Sequence, residues 1–178
     1  MNDTINSIMT RYSCRRFTDR IPSDEDLKTI AKCAVAAPSG MNRQAWRIIV
    51  VKNRTLIDEM EAEGMKMLEA ADKSGYERIM SRGGRLFYNS PCMVVIATQN
   101  ESPGIVTENI ALSATSLGIN SLICGLISFS FAGEKGAEFK EKLGFPEGYG
   151  IGIAVLLGYE AEPGKPHEPD MDKISFVV

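Results

Sequence analysis

The chain has 178 residues and carries 20 basic against 23 acidic side chains, a net charge of −3, with 44% apolar and 24% charged residues. That length suits one domain with a full hydrophobic core, and the composition is that of an ordinary soluble globular protein. The slight acidic excess excludes a global electrostatic footprint for nucleic acid or for an anionic membrane, so basic residues matter only as local clusters. Ile5, Ile8, Met9 and Tyr12 fall at helical spacing behind a cap at Asp3, and a short helix opens the chain. Ser23-Asp24-Glu25-Asp26 resembles a capping box, and Leu27, Ile30, Ala31 and Ala34 form the buried stripe of a second helix that stops before Pro38. Trp46–Val51 reads as a strand and Arg54–Ala71 as a long helix. Ser74–Asn89, with Gly83-Gly84 together, reads as irregular. Met93–Ala97 is an apolar strand, and Ile105–Leu117 a helix ended by Gly118. Ser121–Ile127 mixes strand and loop, Glu134–Leu143 is a short helix, and Ile151–Leu157 is the last strand. The tail from Ala161 is rich in proline and charge and is expected to be extended.

The strands are continuously apolar, which implies burial on both faces. Helices precede, separate and follow them, so the class is α/β or α+β, a central sheet covered by helices. Periodicity does not order the strands.

Cys14, Cys33, Cys92 and Cys124 include no C-x-x-C pair, and with one histidine in the chain no Cys/His zinc site is expected. Met1–Thr10 is polar and lacks the apolar region of a signal peptide, and no apolar run approaches membrane-spanning length. Four reduced thiols in a cytoplasmic protein are the expectation.

Three segments carry candidate chemistry. Arg11-Tyr12-Ser13-Cys14-Arg15-Arg16-Phe17 places three arginines and a serine within six positions. Arginine forks bind phosphate bidentately and serine adds a donor, although such a cluster alone reads more simply as a solvated basic turn. Ala37-Pro38-Ser39-Gly40-Met41-Asn42-Arg43-Gln44-Ala45-Trp46 turns a helix into a strand. Ser39, Asn42 and Gln44 offer side-chain donors and acceptors, and Gly40 admits a ligand close to the backbone, which suits the edge of a flat heteroaromatic ring. The plainer alternative is an ordinary loop of turn formers; Asn42 and Gln44 directly before a buried strand favour a site, because polar groups there must find partners. Gly118–Leu126, running from a helix end through an apolar stretch to a glycine, could present a backbone N–H to a ligand, but alone it reads as a buried strand.

Taken together, these segments resemble the nitroreductase / FMN-reductase-like family. Arg11, Ser13, Arg15 and Phe17 match its Arg-x-Ser-x-Arg/Lys-x-Phe start, and Pro38, Ser39, Asn42, Gln44 and Trp46 match its Pro-Ser-x-x-Asn-x-Gln-Pro-Trp element, with Ala45 in place of the usual proline. The resemblance implies an α+β fold with a central mixed β-sheet covered by helices on both faces. One FMN-binding domain would span residues 1–160, with an extended tail over 161–178 packing on the partner subunit of a homodimer. It implies FMN as cofactor, NADH or NADPH as donor, and a small-molecule acceptor such as a nitroaromatic or quinone.

Arg11 and Ser13, with Tyr12 between them, would bind the FMN phosphate, and Arg15 would lie at the N1/O2 edge of the ring. Pro38, Ser39, Gly40 and Asn42 would hold ring and ribityl chain, supported by Gln44. The backbone at Cys124 and Gly125 would face N5, where Cys124 replaces a glutamate of some members. Lys165 and His167 would reach the phosphate, His167 standing where other members carry arginine. No protein side chain is singled out as catalytic, since chemistry at the flavin needs none. The absence of a G-x-G-x-x-G fingerprint suits a nicotinamide that visits without a Rossmann site. Two alternatives stay open: other flavin chemistry on the same fold, such as dehalogenation or dehydrogenation, and a non-catalytic FMN-binding protein.

Overall fold

In the computed structural model, residues 2–99 and 102–177 are described. Helix α1 (Asp3–Thr10) is capped by Asn2, whose side chain accepts the amide of Ile5 at 3.0 Å, one residue earlier than the Asp3 cap expected. Helix α2 (Asp24–Val35) is capped as expected by Ser23: its Oγ accepts the Asp26 amide at 3.1 Å and donates to the Asp26 carboxylate at 2.6 Å. Strand β1 (Trp46–Val51) and helix α3 (Arg54–Ala71) have the bounds read from the sequence.

Helix α4 (Lys73–Met80) replaces most of the irregular segment expected over 74–89. Asp72 caps it by accepting the Gly75 amide at 2.9 Å, and Tyr76 and Ile79 pack into the core. The helix is anchored by two apolar residues and a cap, too few to register as a periodic stripe. Gly83 and Gly84, at φ 103° and 67°, then end the turn that follows. Strand β2 (Cys92–Thr98), α5 (Gly104–Ser116), β3 (Asn120–Cys124), α6 (Ile127–Ser130), α7 (Gly136–Lys142) and β4 (Gly150–Gly158) complete the order.

The four strands form one sheet in the order β1-β2-β4-β3. Every strand pair is antiparallel; the parallel pairing in the sheet's surroundings is the isolated bridge between Ser13 and Ser121. The mixed sheet expected is therefore corrected to an antiparallel one. Continuous apolar strands report that both faces are covered, and antiparallel strands satisfy that as well as parallel ones do.

Alternate residues of β2 and β4 serve two cores. Met93, Val95, Ala154 and Leu156 face a cluster with Ile57, Met60, Leu68, Ile127 and Phe139 from α3, α6 and α7. Cys92, Val94, Ile96, Val155 and Leu157 face Leu27, Ile30, Ala34, Val106, Ile110 and Ala114 from α2 and α5. The fold is α+β with helices on both faces. From Ala161 to Val177 the chain is exposed and contains one short turn of 3-10 helix, Met171–Lys173. Met1 and Val178, at the ends of the opening and tail segments, lie outside the described residues. No helix among the described residues is long and apolar enough to cross a membrane.

Candidate active site

The Arg11–Phe17 segment lies along the free edge of β3. Helix α1 ends at Arg11, which turns to φ −56°, ψ 136° and leads an extended run. Ser13 bridges Ser121, and the Cys14 amide donates to the Ser121 carbonyl at 2.9 Å. Cys14 is buried, so the alternation of extended backbone turns Ser13 and Arg15 to the opposite side. Among the described residues, Arg11, one-fifth exposed, pairs with Glu108 alone, at 3.5 Å. It lines a cavity of about 230 Å³ together with Ser121, whose buried hydroxyl has no hydrogen-bond partner among the described residues.

Tyr12 is engaged differently from its neighbours. Its hydroxyl donates to Glu160 and accepts from the Asn120 side-chain amide at 2.9 Å, and Asn120 Oδ1 accepts the Glu160 amide at 3.0 Å. The Gly164 amide donates to the same Glu160 carboxylate at 3.2 Å, and a β-carbon on Gly164 would collide with the Tyr12 ring. Asn120 and Glu160, which the sequence did not single out, thus tie the tail to the Arg11–Ser13 segment one residue before Lys165. Lys165 and His167 themselves are exposed.

Arg15 borders a second cleft, of about 400 Å³, with Arg78, Arg82, Tyr88 and the stretch Leu122–Leu126. This brings Arg15 together with Cys124 and Gly125. Gly125 is exposed, and a β-carbon there would meet no atom within 4 Å, so its backbone is open to a ligand. Cys124 offers backbone only: its side chain is buried in the core, and burial pushes its thiol from 9.0 up to about 11. Tyr88 and Asn89 sit at φ 51° and 61°, left-handed backbone that costs a non-glycine residue about 1 kcal/mol or more. They are held by Glu61, which accepts the Phe87 amide at 2.7 Å and pairs with Arg85 at 2.7 Å. Arg78 and Arg82 escaped the sequence reading; the available signal was their four-residue spacing.

The buried thiols carry a pH dependence. Burial raises Cys92 from 9.0 to about 12 and Cys124 to about 11. The unfolded chain releases these protons first, so their contribution is intact below pH 9 and is lost as pH climbs toward 11–12. Urea melts between pH 8 and 11 are expected to show falling stability above pH 9, with a shallower fall in Cys92→Ala. Equal slopes for the two proteins would rule this thiol out.

The Pro38–Gln44 loop is built from local polar contacts. Ser39 Oγ accepts the Gln44 amide at 2.9 Å, and the Gln44 side chain donates to Asn42 Oδ1 at 2.8 Å. Met41, Asn42 and Gln44 all have positive φ, at 53°, 55° and 47°. Three strained non-glycine residues in an exposed loop are what a ligand clamp shows. The chain does not bring this loop to the other segments. Trp46 is level with Thr98 and Gly150, whereas Ser121 is level with Leu157. Seven residues along β4 and three strand spacings put the two at opposite corners of the sheet, roughly 25 Å apart. No group of three or more His, Cys, Asp or Glu that could hold a metal ion occurs among the described residues.

The fold, the arginine-lined edge and the strained loop together define a recognisable class, and the nitroreductase family matches residues 8–159. The chain belongs to that family. It superposes with a TM-score of 0.97 on a nitroreductase with bound FMN from Desulfitobacterium hafniense DCB-2, 52% identical with all of both chains covered. A protein of Archaeoglobus fulgidus, provisionally named an NADH dehydrogenase/NAD(P)H nitroreductase, is 31% identical over 170 residues, 96% of this chain and 92% of that one. An iodotyrosine deiodinase of Thermotoga neapolitana is 24% identical over 171 residues, covering 89% of each.

Proposed function

We propose that this protein is an FMN-dependent oxidoreductase, working as a homodimer in the cytoplasm, that takes hydride from NADH or NADPH and reduces a nitroaromatic, quinone or related small acceptor. The observation that carries the reading is the arrangement along β3: Arg11, Ser13 and Arg15 run beside Ser121–Cys124 and end at the open backbone of Gly125. The residues present fit an FMN. The unpartnered Ser121 hydroxyl beside Arg11 suits a phosphate, and Arg15 makes no ion pair among the described residues.

FMN, when bound, supplies the two-electron chemistry. Arg11 and Ser13 would hold its phosphate, with Lys165 and His167 reaching in from the tail. Arg15 would balance negative charge on the ring, and the backbone at Cys124–Gly125 would lie beside it. Among the described residues, the lining of the cleft of about 400 Å³ beside Arg15 carries no carboxylate or histidine. Ser39, Gly40, Asn42 and Gln44 come from a second copy, because in one chain they lie at the far corner.

Self-association has further support. Helix α1 exposes Ile5, Ile8 and Met9, α5 exposes Ile105, and the tail exposes Ile174, Phe176 and Val177. The four free cysteines suit a reducing compartment. The FMN in the Desulfitobacterium hafniense structure and the NAD(P)H in the Archaeoglobus fulgidus name support cofactor and donor. The likeness to an iodotyrosine deiodinase favours a second reading, reductive dehalogenation at the same flavin.

The protein is expected to purify yellow, to release FMN on heating, and to scatter light as a dimer. Anaerobic mixing with NADH or NADPH should bleach it, and a panel of nitro, quinone and halogenated acceptors should restore the colour selectively. A colourless protein that takes up no added FMN overturns the assignment.

A further inference from the structure

We propose that Arg78 and Arg82 form an anion clamp that selects electron acceptors carrying a carboxylate on an aromatic ring. The inference rests on the flavoenzyme reading above and names the substrate class of the same site. Arg78 and Arg82 lie four residues apart on α4 and the turn after it, so both side chains reach the same side. With Arg15 they converge on one cleft of about 400 Å³ whose lining holds no acidic residue.

None of the three makes an ion pair among the described residues. The acids nearby are engaged elsewhere: Asp58 by Arg54 and Arg85, Glu61 by Arg85, and Glu162 by Arg16. Arg78 is partly offset by the Asp72 carboxylate at the start of its helix; the three exposed guanidinium groups still repel one another across the cleft, and an entering anion relieves that repulsion. Arg15 is accounted for at the ring edge and Arg11 at the phosphate, which leaves Arg78 and Arg82 without an assignment. Guanidinium forks match a carboxylate bidentately. Most of the remaining lining is apolar: Ile79, Leu122, Ile123 and Leu126, with Tyr88. Tyr88 is fixed there in left-handed backbone, at φ 51°, as expected of a residue held for a ligand. With the flavin ring beside Arg15 and Gly125, an aromatic acceptor laid against the flavin can direct its carboxylate to the two arginines at the rim of the same cleft.

The test compares 4-nitrobenzoate with 4-nitrobenzyl alcohol, which share a ring and differ in charge. Affinities are measured by calorimetry on the full-length protein, wild type and R78A/R82A, and each probe is also followed as an oxidant of the reduced protein. Wild type is expected to favour the carboxylate by about tenfold or more, and the double variant to lose that preference. R78K/R82K should keep part of it, since lysine retains the charge without the fork.

Three results overturn the clamp. One is a wild type that binds both probes equally. Another is a double variant whose FMN affinity falls while riboflavin affinity holds, which makes the arginines phosphate ligands. The last is slower reduction by NADPH but not NADH with the probe preference intact, which makes them nucleotide contacts. Calorimetry needs no bound flavin, so a colourless protein that still prefers the carboxylate refutes the cofactor reading and leaves the clamp standing.

Discussion

Arg11→Ala is expected to weaken FMN binding by roughly 10- to 150-fold and to leave riboflavin binding almost unchanged. The magnitude follows from a charge-assisted bond to a partly buried anion, about 1.5–3 kcal/mol, with tenfold in affinity per 1.4 kcal/mol. Arg11 is one-fifth exposed, and its ion pair to the half-exposed Glu108 is 3.5 Å long. Removing the side chain therefore costs the folded protein little, since exposed pairs of this kind contribute under about 1 kcal/mol. Riboflavin has the same ring and ribityl chain without the phosphate, so it isolates the contact in question. Fluorescence titration of the flavin-free protein with both ligands measures the difference. An equal loss for the two would move Arg11 away from the phosphate and leave the Ser121 hydroxyl to be explained some other way.

Glu61→Ala is expected to destabilise the fold by about 2–3 kcal/mol. Glu61 is 6% exposed, and its two oxygens hold the Phe87 amide and the Arg85 guanidinium. Phe87 is buried, so truncation leaves a buried amide without an acceptor, which costs about 1–3 kcal/mol by itself. The ion-pair share is smaller, because the Arg85 side chain is 40% exposed and solvent screens it. For a chain of this size the melting temperature should fall by roughly 4–12 °C. Glu61→Gln keeps an acceptor for the Phe87 amide and should recover much of the loss. A melting temperature within about 1 °C of wild type for Glu61→Ala would show that the 85–90 turn stands without this anchor.

Both effects depend on parts of the molecule that differ in how openly the sequence displays them. Trp46–Val51 and Arg54–Ala71 were legible to the residue, because each is a long run of one pattern between clear stops. Helix α4 was not, since a capping aspartate and two apolar residues hold it and glycine interrupts it. Strand direction was not legible either: apolar runs reveal how many faces are covered, not which way neighbours run. The candidate site divides in the same way. The Arg11–Arg15 and Pro38–Gln44 segments were readable because their side chains are unusual for a turn. Their separation to opposite corners follows from the strand order, which no local pattern encodes. Arg78 and Arg82 look like any solvated helix face until Arg15 is brought opposite them. Glu61 reads as one more charge on the polar side of α3 until the Phe87 amide is found against it.

The distance between the Pro38–Gln44 loop and Arg11–Arg15 also fixes a thermodynamic relation. A ligand that touches both corners does so by bridging two chains, and its binding free energy is then shared with their association. Linkage makes the two reciprocal: whatever tightens one tightens the other by the same factor. In the homodimer proposed above, cofactor binding and subunit association would therefore be coupled, and scarcity of either component would weaken the other.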